Sequence, residues 1–166
     1  MKVMTAATQS FRCTLQDTQA TAALGRQLGK IVRQGDVILL HGDLGAGKTT
    51  LTRFIAQGLE VPDDQYISSP SFALMHEYPG RLPLFHMDCY RLAGEEDIEG
   101  AGLTDYIGSS GLTVIEWPDR LGSLQPEERL DIMLEAVDET ARTCILRPHG
   151  ALWVSRIEEL PKGVFL

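Results

Sequence analysis

The sequence predicts an α/β domain of three layers, with a mixed, mostly central β-sheet flanked by helices. Three observations carry this. Val37-Ile38-Leu39-Leu40 and Leu112-Thr113-Val114-Ile115 are compact apolar runs bounded by polar or turn residues, as in buried strands. Segments with apolar residues at helical spacing alternate with strand-like runs in the first half of the chain. Strand-like runs dominate the second half, which makes the sheet mixed. The 166 residues suit one domain over 1–166, long enough to bury a core without cross-links.

Phe11 to Leu15 alternates weakly and reads as a short edge strand. Asp17 or Thr18 caps a helix whose apolar positions are Ala20, Ala23, Leu24, Leu28, Ile31 and Val32, with Gly35 as its stop. After the Val37 strand, a helix follows Lys48, with Leu51, Phe54, Ile55 and Leu59 on one face. Gly58 and Pro62 end it. Phe72 to Tyr78 and Leu82 to Cys89 read as strands joined at Pro79-Gly80, a hairpin arrangement. Glu95-Glu96-Asp97 opens a short helix, where acidic residues favour the N-terminus. Leu130 to Val137 and Thr143 to Leu146 are two further strands, and Leu152 to Leu160 fits either helix or strand.

The formal net charge is −8 and the pI about 4.9, with four lysines, at 2, 30, 48 and 162. That excludes a large basic footprint for nucleic acid. Cys13, Cys89 and Cys144 have no metal-knuckle or redox-pair spacing and read as free buried thiols of a reducing compartment. The N-terminus lacks the pattern of a signal peptide, and no apolar run approaches the roughly 20 residues of a membrane span. The expectation is a cytoplasmic protein without a membrane partner.

Gly42-Asp43-Leu44-Gly45-Ala46-Gly47-Lys48-Thr49 fits G-x-x-x-x-G-K-[ST] at every fixed position, between an apolar strand and an amphipathic helix. The glycines let the backbone curl so that N–H groups face phosphate oxygens. The helix beginning near Lys48 adds its positive dipole end. Lys48 supplies a full charge for the outer phosphates, and Thr49 a hydroxyl for Mg2+. The fold class is therefore P-loop NTPase-like.

Such a loop needs a carboxylate for magnesium at the end of a neighbouring strand. Glu116 follows a clean apolar run, and the pattern favours it over Asp88, whose run is interrupted by His86. Asp88 then orients the attacking water, supports the metal's ligands from behind, or simply pairs with Arg91. His86 leaves its strand on the same face as Asp88 and reads equally as a structural hydrogen-bonding residue or a base. Ser68-Ser69-Pro70-Ser71-Phe72 reads better as an ordinary turn than as a sensor of the terminal phosphate. The chain has no asparagine and no T-K-x-D, the elements that read guanine, so ATP is the expected nucleotide. The acidic stretch after Arg91 differs from the Arg-rich lid of small kinases. A small ATPase acting on a partner is the leading reading. A small-molecule kinase is the runner-up, and a regulator that docks without useful hydrolysis is the third.

The loop with Thr50, then Ser69-Pro70-Ser71-Phe72, His86-Met87-Asp88-Cys89-Tyr90-Arg91, Gly102-Leu103-Thr104-Asp105-Tyr106 and Glu116-Trp117-Pro118, together resemble the TsaE family, the bacterial ATPases of tRNA threonylcarbamoyladenosine biosynthesis. The resemblance covers about residues 17 to 120. The family's S-P-T-[FY] reads Ser69-Pro70-Ser71-Phe72 here, and Cys89 stands where the family has phenylalanine or leucine. The resemblance implies ATP and Mg2+ as cofactors and weak ATP hydrolysis by the isolated protein. It implies action with TsaB and TsaD on tRNAs reading codons that begin with A, with tRNA met through the complex. It also implies magnesium ligation by Thr49 and Glu116, catalytic parts for Lys48, Asp88 and Glu116, Trp117 beside the nucleotide, and Thr18 near the base.

Overall fold

The first strand, β1 (Phe11–Leu15), leads through Asp17 into helix α1 (Thr18–Ile31). Asp17 is extended, and its carboxylate accepts from the Ala20 N–H at 2.9 Å, which satisfies one free donor of the first turn. Val32 leaves the helix in extended geometry, and Gly35 turns the chain at φ +88° into β2 (Val37–His41). The glycine-rich segment Gly42–Gly47 then enters α2 (Lys48–Gly58). Next come β3 (Met75–Tyr78), β4 (Leu84–Asp88), α3 (Glu95–Gly100), β5 (Leu112–Glu116), β6 (Arg129–Ala136), β7 (Arg142–His149) and α4 (Ala151–Glu158). This computed structural model describes residues 9–165. The reading of the N-terminus as free of a signal peptide falls on residues 1–8 and lies outside them.

All seven strands form one sheet in the order β1-β7-β6-β2-β5-β4-β3. The centre, β6-β2-β5-β4, is parallel, while β1, β7 and β3 pair antiparallel with their neighbours. On one face α1, α2 and α4 bury Leu24, Leu28, Leu51, Ile55, Trp153 and Ile157 against Ile38, Leu40, Val114 and Ile132. On the other, Ile98, Leu103 and Leu121 cover Leu39, Met87 and Ile115. Helices on both faces of a mixed sheet are the three-layer α/β arrangement the sequence predicts. Among the described residues no helix is long and apolar enough to cross a membrane. The three cysteines are free and buried, with Cys13 and Cys144 opposite one another on β1 and β7.

Three local expectations need correction, and one open alternative is decided. Phe72 is not in a strand: a turn closed by Leu74 N–H to Pro70 O at 2.7 Å keeps it outside, 84% exposed, and β3 starts only at Met75. Ala23 points to solvent, because α1 meets the core through Thr21, Ala22, Leu24, Gly25, Leu28 and Gly29. The stripe is made of small residues as well as large ones, and hydrophobicity alone missed that. The segment near Leu152 is helix, held by a buried Trp153 and Ile157. The last strand runs from Arg142 through His149, well past Leu146, because the whole of β6 pairs with it.

Candidate functional site

The parallel strands β2, β5 and β4 end together, and the groups singled out by the sequence converge there. Asp88 and Glu116 are register partners at the ends of β4 and β5, and both are buried. Gly42, Gly45 and Gly47 have φ of +150°, +80° and +104°, so the turn from β2 into α2 needs glycine at each. At Gly42 a Cβ would also meet the Leu134 carbonyl oxygen at 2.6 Å.

Lys48 opens α2 and is 6% exposed. Its ammonium donates to the Gly42 carbonyl and, at 3.4 Å, to the Asp43 carbonyl. It also lies 3.9 Å from the centre of the Trp117 ring, a cation–π contact. Burial pushes its pKa below the ordinary value, while the charges of Glu116, Asp88 and Asp43 oppose the shift. Trp117 is placed for this by a left-handed backbone, φ +57°, just after β5, and Tyr90 packs on it at 4.9 Å.

Thr49 Oγ1 lies 3.1 and 3.4 Å from the two Glu116 carboxylate oxygens. Glu116 Oε2 is also 2.9 Å from His86 Nε2, and His86 is fully buried. His86 Nε2 holds one carboxylate oxygen, and its buried Nδ1 has no partner. The structure thus gives His86 a hydrogen-bonding place behind Glu116.

Asp88 does not pair with Arg91. Its Oδ2 accepts from Ser69 at 2.5 Å and Ser71 at 3.4 Å, and its Oδ1 from the Tyr90 N–H at 2.9 Å. Arg91 instead stacks 4.0 Å over the Phe72 ring. The Ser-Pro segment is therefore no ordinary turn: its two hydroxyls reach the acid at the end of β4. Composition could not reveal this, because the contact depends on how the Pro70–Leu74 turn folds back over the strand end.

These groups line a cavity of about 380 Å³, walled by the loop from Leu44 to Thr50 and by Ser69, Ser71, Asp88, Glu116 and Trp117. Gly42 and Asp43 do not line it; they reach it through the carbonyls that hold Lys48. A second cavity of about 130 Å³ adjoins it, sharing Ala46, Gly47 and Thr50. Thr18 lies there with Leu15 and Thr21 on one wall and Glu139 and Thr140 on another.

Arg142, at the start of β7, lines both cavities and was not singled out from the sequence. An arginine beginning a strand after an acidic turn carries no local signal. Only the β6–β7 hairpin brings it beside the loop.

Comparison with known proteins shows the family to which the chain belongs. The family model described as threonylcarbamoyl adenosine biosynthesis protein TsaE matches residues 15–144. The tRNA threonylcarbamoyladenosine biosynthesis protein TsaE of Treponema pallidum is 39% identical over 132 residues, 80% of this chain and 96% of that protein. The protein of the same name from Bacillus subtilis is 35% identical over 145 residues, 87% of this chain and 89% of that protein. The crystal structure of Bacillus subtilis YdiB superposes with a TM-score of 0.76 at 30% identity, covering 96% of this chain and 99% of that one. With the glycine loop, the Thr49–Glu116 pair and the Ser69–Asp88 pair on one strand edge, and with matches of this extent, the chain belongs to the TsaE family.

Proposed function

We propose that this chain is a magnesium-dependent, ATP-binding and ATP-hydrolysing subunit required for threonylcarbamoyladenosine modification of tRNAs reading codons that begin with A, acting with TsaB and TsaD. The observation that carries the reading is the Thr49–Glu116 pair beside Lys48, at the N-terminus of a helix entered through a glycine loop. A hydroxyl and a carboxylate at this spacing suit a hard, oxygen-seeking cation. The curated relatives carry the tRNA threonylcarbamoyladenosine biosynthesis name.

In this reading Thr49 and Glu116 hold Mg2+, which when bound neutralises charge on the phosphates. Lys48 exchanges the Gly42 and Asp43 carbonyls for the outer phosphates. Trp117 walls that side of the lysine and limits water there. His86 keeps the Glu116 carboxylate turned toward Thr49. Asp88, held by Ser69, Ser71 and the Tyr90 N–H, orients the attacking water. Thr18 contacts the nucleoside from the second cavity. With a net charge of −8, the chain meets tRNA through its partners rather than through a basic surface of its own.

Two linked experiments test this. Co-purification with TsaB and TsaD, with and without ATP, is expected to retain the chain in a nucleotide-dependent manner. Cells carrying only Lys48→Ala are expected to lose threonylcarbamoyladenosine from their tRNA while the protein remains folded. Normal modification with Lys48→Ala contradicts the proposal. A stoichiometric phosphorylated small-molecule product, found by mass spectrometry, would replace it with the kinase reading.

A further inference from the structure

The turn between β6 and β7 walls the smaller cavity and also touches the phosphate loop, and a single side chain joins the two. Arg142 Nε donates to the Ala46 carbonyl at 2.9 Å, and Nη2 reaches the Gly45 carbonyl at 3.4 Å. Its Nη1 donates to the Asp138 and Ala141 carbonyls, both at 2.9 Å. The guanidinium therefore spans four backbone carbonyls, two on the loop and two on the turn. Its planar fork suits this, and an ammonium does not. The turn is itself ordered: Asp138 Oδ1 accepts from the Thr140 and Ala141 N–H groups at 2.8 and 2.7 Å. Glu139 and Thr140, between these anchors, face the smaller cavity.

The clamp has a directional consequence. In a planar trans peptide the C=O and the following N–H point opposite ways. Holding the Ala46 carbonyl toward Arg142 therefore fixes the direction of the Gly47 N–H. Gly45 and Gly47 on either side have positive φ and the largest conformational freedom in the loop. A loop so rich in glycine needs an external tether to keep its donors converged, and the described structure provides it from β7. The guanidinium of Arg142 is met by these carbonyl dipoles beside both cavities.

We infer that Arg142 is a positioning residue that couples the wall of the nucleoside cavity to the geometry of the phosphate loop. Arg142 acts through the loop's N–H groups rather than on the reacting atoms. Occupation of the cavity by a nucleoside steadies the β6–β7 turn, and the clamp passes that order to the loop. This inference rests on the nucleotide reading above.

The test measures binding of MgATP and of inorganic triphosphate by calorimetry, with kcat and KM, for wild type, Arg142→Ala, Arg142→Lys and Arg156→Ala. Arg156 is a second arginine clamp, buried in α4 and tied to Asp36 and the Ile31 carbonyl away from the loop. Arg142→Ala is expected to weaken both ligands by roughly tenfold or more, the equivalent of losing charged hydrogen bonds. KM should rise more than kcat falls. Because triphosphate binds only the loop, coupling predicts a smaller ATP-over-triphosphate preference in the variant than in wild type. Arg142→Lys should recover little. Arg156→Ala should lower the melting temperature without changing either affinity. Wild-type affinity in Arg142→Ala overturns the inference, as does full recovery by Arg142→Lys or an unchanged ATP-over-triphosphate preference. Absence of ATP binding in the wild type would sink the nucleotide reading itself.

Discussion

Helix α2 belongs to two regions of different character. Its C-terminal half is pressed against α1, where backbone meets backbone. A Cβ on Gly25 would lie 2.5 Å from the Phe54 Cβ, and one on Gly29 or Gly58 would overlap the Ile55 or Arg26 carbonyl oxygen. Its N-terminal half carries Lys48 and Thr49 into a cavity where buried charges face one another: Lys48, Asp88 and Glu116 are each 6% exposed or less. The seam gains from close packing and tolerates no added volume. The site holds desolvated polar groups, and burial disfavours the charged lysine there. In the seam a substitution is expected to change stability, and in the site to change chemistry. The same helix carries both, its packed half and its charged half lying within Lys48–Gly58.

The largest expected effect is on the site side. Lys48→Ala should lower ATP turnover by about 10²–10³-fold, as for other groups that stabilise developing charge. Its melting temperature should stay within about 3 °C of wild type, a change of roughly 1 kcal/mol. A large fall in melting temperature would erase the distinction between the regions.

On the seam side, Gly29→Leu forces side-chain volume into the Ile55 and Gly58 backbone and should cost about 3 kcal/mol. That corresponds to a fall of roughly 6–12 °C in melting temperature. Turnover per folded molecule, measured well below the transition, should remain within about twofold if the seam contributes only stability.

Legibility in the sequence follows the same division. The glycine loop is a local pattern, and Glu116 ends a clean apolar strand, so the place of both in the fold could be read from neighbours in sequence. Asp88 and His86 could be placed on one face by strand alternation, but their partners could not. Ser69 reaches Asp88 only because the Pro70–Leu74 turn folds back. Arg142 reaches the loop only through the β6–β7 register, across 96 residues. The seam was hidden for a related reason: its contacts are glycines, which carry no hydrophobic signal. The buried Trp153 lay in a segment whose period fitted helix and strand alike.

Ser69→Ala sharpens the boundary of the site. It removes the 2.5 Å donor to Asp88 and should lower turnover by about tenfold, close to the worth of one charge-assisted hydrogen bond. An unchanged rate would place the Ser-Pro segment outside the working site.

The smallest effect lies on β6, at the buried Asp131 inside the sheet. Burial pushes the Asp131 carboxyl up, but hydrogen bonding to His41 and the charges of Arg129, His41 and His149 outweigh it and hold its pKa below the ordinary value. A depressed carboxyl stabilises the fold above its unfolded pKa of about 4, and that contribution is lost as pH falls through the lower folded value. Asp131→Asn should therefore cost about 1 kcal/mol at neutral pH and nearly nothing once the carboxyl is protonated. Melting curves from pH 7 down to about 3 check this, and a constant difference between the two proteins would refute it.

The most direct test of the site is the magnesium dependence of ATP turnover in wild type and Glu116→Ala. The account predicts saturable activation of the wild type by Mg2+. In Glu116→Ala it predicts turnover lowered by at least about 100-fold, with half-saturation moved to higher Mg2+ in whatever activity remains. Full turnover in Glu116→Ala with an unchanged magnesium curve would contradict the pairing of Thr49 with Glu116 as the metal's seat.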